Sequence, residues 1–435
     1  MLADLTRLGD PNFPPNLAIA PSSSKDVNLD GNDDARQDIA GFGIAGRTWE
    51  AAYLLRDYLI PPPQPTPPST TAAPPKPPQL DPPCPLFGPT DDGSAQPGVE
   101  LEQTVLELGS GTGFLSLAIA PSLRRNRSKK TTLIMTDLDN VCPLLEDNLA
   151  RAQQRWSRST ERDLVGTDPT EQGRAAAAAS DADQVDVLVR PLPWGDETSL
   201  LRLVKKEEFK PDIILASDLI YFEFLYGPLL RTLIALTEPM TLTAGNYNPT
   251  PTTPTVIFSY KVRSLTREEP FWRAFGTFHL RLGPLKAFRI DHFCPCSGRW
   301  FELDPVQVGR TRRPDPPAAA PTADREQCQS GDPSPEVAQK KVEWTRYGSR
   351  MGSADMGGTS IGDKDDELYV FVCRRHPSTL GALGPIDAKG QQDGTSILFG
   401  SVSDEELLLG LGKAAGYAEG ADRFEEILLA NLEWD

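Results

Sequence analysis

The run Val105-Leu106-Glu107-Leu108-Gly109-Ser110-Gly111-Thr112-Gly113-Phe114 holds the residues of this 435-residue chain most suited to chemistry. An apolar strand pattern runs into alternate glycines and then into a helical pattern. Removing every second Cβ lets a ligand approach the backbone closely. In an α/β sheet such a loop lies at the carboxyl end of a strand, where ligands bind at the switch in strand order. Three readings compete for it. A dinucleotide needs G-x-G-x-x-G with its pyrophosphate on the helix N-terminus, but Phe114 takes the third glycine's place and Glu107 sets a negative charge beside the phosphates. The pattern E-x-G-x-G-x-G suits S-adenosylmethionine, whose ammonium and sulfonium make a cationic end for Glu107. Asp137, closing the next strand in Thr136-Asp137, can accept from both ribose hydroxyls. A glycine turn without a ligand is the third reading. The agreement of Glu107, Gly109, Ser110, Gly111 and Gly113 with Asp137 favours S-adenosylmethionine.

The elements that must position these residues are legible as alternating patterns. Short β-rich runs lie at 104–108, 132–135, 185–189, 212–215 and 256–260, each about the length of a buried strand. Helical stretches at 114–120, 142–155 and 226–236 fall between several of them, which predicts parallel pairing through right-handed crossovers. Two later strands, 300–303 and 368–373, have no obvious helix between them and are expected as an antiparallel hairpin at the sheet edge. The fold class is therefore α/β, a Rossmann-like, seven-stranded mixed sheet with five parallel strands. Proline is concentrated: 15 of the 42 fall within 61–98, where regular backbone donation is impossible. That segment, 158–184 and 306–363 read as Pro-rich and low-complexity surface inserts.

The expected organisation is an N-terminal extension over 1–40, a folded domain over 41–375 and an acidic tail over 376–435. In the tail, Ser403-Asp404-Glu405-Glu406 forms a capping box, and 424–432 carries apolar residues at helical spacing. This tail is either a helix packed on the domain, a solvated segment or an acidic docking element for a basic partner. A net charge of −17 argues against nucleic-acid wrapping, and the run Arg124, Arg125, Arg127, Lys129, Lys130 is expected as a solvated loop. No apolar run reaches membrane length, so no membrane partner is expected. His292, Cys294 and Cys296, with Cys328 or Cys373, lack a second paired half, so no metal site is expected. A soluble, cytoplasmic monomer is the expectation.

With these pieces assembled, the chain resembles the seven-β-strand S-adenosylmethionine-dependent methyltransferases. Within them it resembles the lysine methyltransferases of translation elongation factors and AAA-ATPase chaperones. Gly46-Arg47-Thr48-Trp49-Glu50-Ala51-Ala52 is similar to that family's glycine-led W-[DE]-A segment, whose tryptophan lies by the cofactor. Thr136-Asp137-Leu138 with Leu144-Leu145-Glu146-Asp147-Asn148-Leu149 resembles its TD…L-L…N-[IL] stretch. Leu192-Pro193-Trp194-Gly195-Asp196 is similar to L-x-W-G-[DE], which puts Trp194 near the adenine. Ala216-Ser217-Asp218-Leu219-Ile220-Tyr221 resembles the A-D-x-x-Y motif ending the fourth strand, which adds Ser217 to the cofactor side. The fungal elongation factor 1-alpha lysine methyltransferases look most alike. The resemblance implies a protein substrate: elongation factor 1-alpha, another translation factor or a chaperone.

Methyl transfer to an amine requires an aligned, neutral nucleophile, whereas a lysine with a reference pKa of about 10.4 is mostly charged at neutral pH. Asp218 and Tyr221 are the candidate catalytic residues. Asp218 can hold and orient the incoming ammonium, and Tyr221 can accept a hydrogen bond or line a lysine channel by cation–π contact. The lesser, compatible reading of Asp218 is the N-cap of a helix that begins near Phe222. The sequence Asp-Leu-Ile-Tyr lacks the prolines of the [DN]-P-P-[YF] motif that grips planar amides, which favours an amine acceptor. Methylation of a small, nicotinamide-like amine and a catalytically silent docking protein on the same fold are the alternatives.

Overall fold

The computed structural model describes residues 35–60, 79–86, 101–125, 129–165, 185–206, 209–238, 253–278, 300–311, 342–347, 368–376, 379–380 and 403–408. Helix α1 spans Glu50–Leu59 and the short strand β1 Gln79–Asp81. Strand β2 (Leu101–Leu108) leads through the glycine loop into α2 (Phe114–Arg125), then β3 (Lys129–Asp137), α3 (Cys142–Val165) and β4 (Val185–Pro191). The chain continues through β5 (Ile213–Ser217), α4 (Glu223–Thr237), β6 (Thr255–Lys261), α5 (Leu265–Phe275) and β7 (Gly276–Phe278). Strands β8 (Phe301–Pro305), β9 (Gln307–Thr311), β10 (Val342–Arg346) and β11 (Leu368–Arg375) follow, then a one-turn helix, α6 (Asp404–Leu408).

The main sheet has the order β4-β3-β2-β5-β6-β11-β8-β7. Neighbours from β4 to β6 pair in parallel, and β11 runs antiparallel to both β6 and β8. The seven expected strands are all present, with β7 as a short eighth beside β8. The expected antiparallel pair of β8 and β11 is there, but β11 is an interior strand. Its residues Leu368–Cys373 are all buried, and such two-sided burial needs a neighbour on each edge.

Side-chain alternation sorts the strands onto two cores. Leu106, Ile214, Val256, Phe258 and Phe371 face α4 and α5, where Leu229, Leu233, Phe271 and Trp272 complete one cluster. Val105, Ile213, Leu215, Ile257 and Val370 face α1 and α2, meeting Leu55, Tyr58, Leu115 and Ile119. Strand order reverses at β2, which has β3 on one side and β5 on the other. The cleft at that reversal opens at the carboxyl ends of the strands, beside the glycine loop.

Two stretches expected as featureless inserts contribute structure. Strand β1, inside 61–98, pairs antiparallel with β9, which pairs in turn with β10, both inside 306–363. The resulting three-stranded sheet rests on the α1 face: Val306, Val308 and Tyr347 are buried there, and the Tyr58 hydroxyl donates to the Pro82 carbonyl at 3.1 Å. Each strand carries too few apolar residues to announce itself, and β1 meets β9 only across more than two hundred residues of chain. Helix α3 likewise runs on to Val165, past the expected start of the insert at 158. Arg124 does not sit in a solvated loop but ends α2 against the Trp156 ring, 4.5 Å from its centroid, and Lys129 and Lys130 open β3. The possible ligands His292, Cys294, Cys296 and Cys328 lie outside the described residues, as does 424–432.

Helix α6 confirms the capping box, with Ser403 N–H donating to Glu406 and Glu406 N–H donating to the Ser403 hydroxyl at 2.9 and 3.2 Å. It docks on α4: Asp404 pairs with Arg231 at 2.8 Å, and Leu407 enters the larger core at 1% exposure. Leu407→Ala is therefore expected to cost about 2–3 kcal/mol of unfolding free energy through lost burial and a residual cavity. Urea denaturation, read as a lower midpoint with unchanged slope, checks it.

Candidate active site

The cleft encloses about 980 Å³ out to its open mouth. Its floor is the glycine loop. Gly109 and Gly111 have φ of +59° and +56°, a conformation costly for residues with a Cβ. A Cβ on Gly109 would lie 2.8 Å from the Leu219 side chain, and one on Gly111 would lie 3.0 Å from the Ala45 carbonyl oxygen. Ser110 lines the floor between them and ties the loop to β3, its hydroxyl accepting from Thr136 N–H at 3.1 Å.

Gly113 is the one expected cofactor residue that does not line the cleft. It faces inward instead, where a Cβ would press on Leu145 and Met135. This third glycine lets α2 pack against β3 and α3.

Two buried carboxylates give the cleft its electrostatic character. Glu107 is 3% exposed and accepts from the Ser116 hydroxyl. Burial pushes its pKa up to about 7, against the opposing effect of hydrogen bonds from Ser116 and Ser110. Burial also raises Asp137, to about 6, although its carboxylate accepts from Gly111 N–H and Leu138 N–H, each at 2.8 Å. Desolvated carboxylates with raised pKa values in a cleft mark a place where a cation or a set of hydroxyl donors belongs.

The walls come from distant parts of the chain. Trp49 N-caps α1 and donates from its indole to the Ile44 carbonyl at 3.1 Å; Arg47 lies 4.3 Å from its ring centroid. Trp194 follows β4 and meets the Tyr221 ring edge-on at 6.5 Å. Ser217, at the end of β5, receives the Ser259 hydroxyl at 3.1 Å and faces the cleft. Asn148 braces the floor from α3, donating to the Thr112 and Arg36 carbonyls at 2.8 and 3.0 Å.

Beyond β5, Asp218 and Tyr221 both line the cleft. The Asp218 backbone is left-handed, φ +61°, which Asp tolerates better than most residues. Asp218 does not cap α4: the N-cap is Phe222, without a side-chain cap. Its carboxylate is instead held by Arg263, Nη1 to Oδ1 at 2.7 Å and Nη2 to Oδ2 in a shorter contact. Burial, with the Asp137 and Asp218 carboxylates, pushes the Tyr221 phenol well above its ordinary range, so it stays protonated at neutral pH. Sequence reasoning missed Arg263, which lies two residues past β6 in a charged stretch with no motif to single it out.

Residues 29–172 match the family profile described as lysine methyltransferase. Over that third of its length the chain is similar to the lysine methyltransferases. It is 28% identical over 176 residues to protein-lysine N-methyltransferase EFM6 of Saccharomyces cerevisiae, an alignment covering 38% of this chain and 52% of that protein. The chain thus spans about half the length of the curated relative it matches. Among solved structures it is similar to the rRNA methyltransferase AviRa of Streptomyces viridochromogenes, at 17% identity, 44% of this chain, 73% of that one and a TM-score of 0.24. It is also similar to the CMeT domain of the citrinin polyketide synthase, at 15% identity, 40% and 32% coverage and a TM-score of 0.21. The region matched by the family profile carries Trp49, the glycine loop and Asp137 but ends before Asp218.

Proposed function

We propose that this chain transfers a methyl group from S-adenosylmethionine to a lysine side chain of a translation elongation factor, elongation factor 1-alpha by resemblance, as a cytoplasmic monomer. The observation carrying the reading is the pair of buried carboxylates, Glu107 and Asp137, on a glycine floor at the strand-order switch. The residues fit the cofactor: Glu107 would meet the ammonium, Asp137 the ribose hydroxyls and Trp194 the adenine, while Gly109 and Gly111 allow close approach. Bound, the cofactor supplies an electrophilic methyl carbon. The chain's own contribution is to align the amine: Asp218 accepts from it, and the protonated Tyr221 orients it and excludes water. The lysine proton leaves to solvent.

A protein acceptor is favoured over a small amine by the surface beside the cleft. Tyr221, Phe222 and Phe224 form an aromatic ladder, with ring centroids 4.9 and 5.3 Å apart, and Phe224 is 41% exposed. Such a strip can pack on residues flanking a lysine. Phe224→Ser is expected to raise KM for a protein substrate about tenfold, on the scale of a lost aromatic contact, with cofactor affinity unchanged. Steady-state kinetics with calorimetry would separate the two. The founding test is radiolabelled methyl transfer into a cell extract. A labelled protein band that yields methyl-lysine on hydrolysis supports the reading; label confined to small molecules points to the small-amine alternative. Cofactor binding with no transfer points to a silent docking protein.

A further inference from the structure

Asp218 is the group expected to hold the acceptor's charge, yet it already has a cation. Its side chain is 0% exposed and Arg263's is 31% exposed. The guanidinium engages both carboxylate oxygens, and Lys261 N–H approaches Oδ1 at 3.4 Å. Arg263 is itself anchored. Its Nη1 donates to the Lys261 carbonyl at 3.3 Å, its backbone N–H to Glu268 at 3.4 Å, and its guanidinium lies 5.4 Å from the centroid of the Trp49 ring. Asp218 lines the cleft, and Arg263 reaches its carboxylate from the loop after β6.

A two-point guanidinium contact is shorter, more directional and less hydrated than anything a single ammonium can offer. An incoming ammonium would have to strip Arg263 from a buried partner, leaving the guanidinium uncompensated. A neutral amine needs no such exchange, because it brings no charge to compete with Arg263 for the carboxylate. We infer that Arg263 is a positioning residue that fixes Asp218 so that the acceptor site takes up a neutral amine in place of an ammonium. The inference rests on the methyl-transfer reading and refines it. It also explains why Asp218 sits in a left-handed conformation: the turn swings its carboxylate toward the loop after β6. The charged and titratable groups around the pair are Tyr221 and Asp137 on the cleft side, Glu50 on α1, Lys261 at the end of β6 and Glu268 on α5.

The test compares the full-length protein with R263Q, R263K, D218N and the R263Q/D218N double variant. Transfer from radiolabelled S-adenosylmethionine into the protein band labelled by wild type gives kcat and KM between pH 6 and 9, and calorimetry gives S-adenosylhomocysteine affinity. R263Q is expected to lower kcat about 100-fold, the scale of a misplaced catalytic contact, with S-adenosylhomocysteine affinity within about threefold of wild type. R263K restores part of the loss. The double variant is no slower than D218N, because Arg263 acts through Asp218. Partial rescue by R263K, with cofactor affinity kept, is what a merely structural role would not produce. R263Q with wild-type kcat overturns the inference, as does a double variant that loses the product of both single losses. R263Q faster than wild type also overturns it, showing that the arginine blocks the acceptor. Wild type that binds S-adenosylhomocysteine but labels nothing overturns the transfer reading, and this inference with it.

Discussion

Asp218→Asn is expected to lower kcat by about three orders of magnitude, within the range for losing the alignment of the acceptor amine, while leaving cofactor affinity nearly unchanged. Asparagine is the informative choice because it tolerates the left-handed backbone at φ +61°, where alanine would add strain unrelated to chemistry. The amide keeps the volume but loses the charge that neutralises Arg263 and one of the two acceptors the guanidinium engages. Breaking a buried pair from one side typically costs about 3–5 kcal/mol of stability; Arg263, 31% exposed, can turn toward water and lose less. Thermal unfolding should therefore fall modestly while kcat collapses. Single-turnover transfer with saturating cofactor separates the two, and full activity in Asp218→Asn would remove the carboxylate from the mechanism.

Glu107→Gln is expected to weaken S-adenosylmethionine and S-adenosylhomocysteine about 100-fold, from the loss of one buried charge-assisted contact of about 2–3 kcal/mol. Glutamine preserves the shape and can still bond to Ser116, so the change isolates charge. The pH dependence follows from the same residue. Its pKa in the folded protein, about 7, lies above the ordinary 4.5 because burial penalises the ionised form. In the ligand-free protein that preference contributes stability below pH 4.5, and the contribution is lost as pH rises through 7. The ligand's ammonium reverses the preference, because it pairs with the ionised form. Affinity should accordingly tighten as pH rises from 6 to 8, by up to about tenfold per unit below the pKa. The rise in unfolding temperature on adding S-adenosylhomocysteine should be larger at pH 8 than at pH 6. Glu107→Gln should flatten that dependence, leaving only the smaller contribution of Asp137, whose pKa is about 6. An affinity that stays constant from pH 6 to 8 in wild type would mean Glu107 does not meet the ammonium.

The features legible in the sequence were those whose cause is local. The loop from Glu107 to Gly111 could be read because a strand, a turn and a helix follow one another without interruption. Trp49, Trp194 and Asp218 became legible through short motifs at strand ends. What escaped were pairings made across the chain. Arg263 meets Asp218 from 45 residues away, and neither neighbourhood signals the other. Strands β1, β9 and β10 carry few apolar side chains and become strands only on meeting. Gly113 shares its spacing with two floor glycines, and only packing against Leu145 and Met135 shows that it serves the fold. Spacing could not reveal that β11 is interior either, because the sheet position of a final strand depends on which edges remain open.

That interior position has a consequence for synthesis. All the other sheet strands precede β11 in the chain, so β6 and β8 leave the ribosome before the strand that joins them. Until Leu368–Arg375 emerges, the nascent chain presents two unpaired edges lined by Phe258, Tyr260 and Phe301. Exposed edges of that kind invite pairing with other chains. The cofactor end, built from β2, β3 and β5, can assemble first, while the rest of the sheet waits on its last strand.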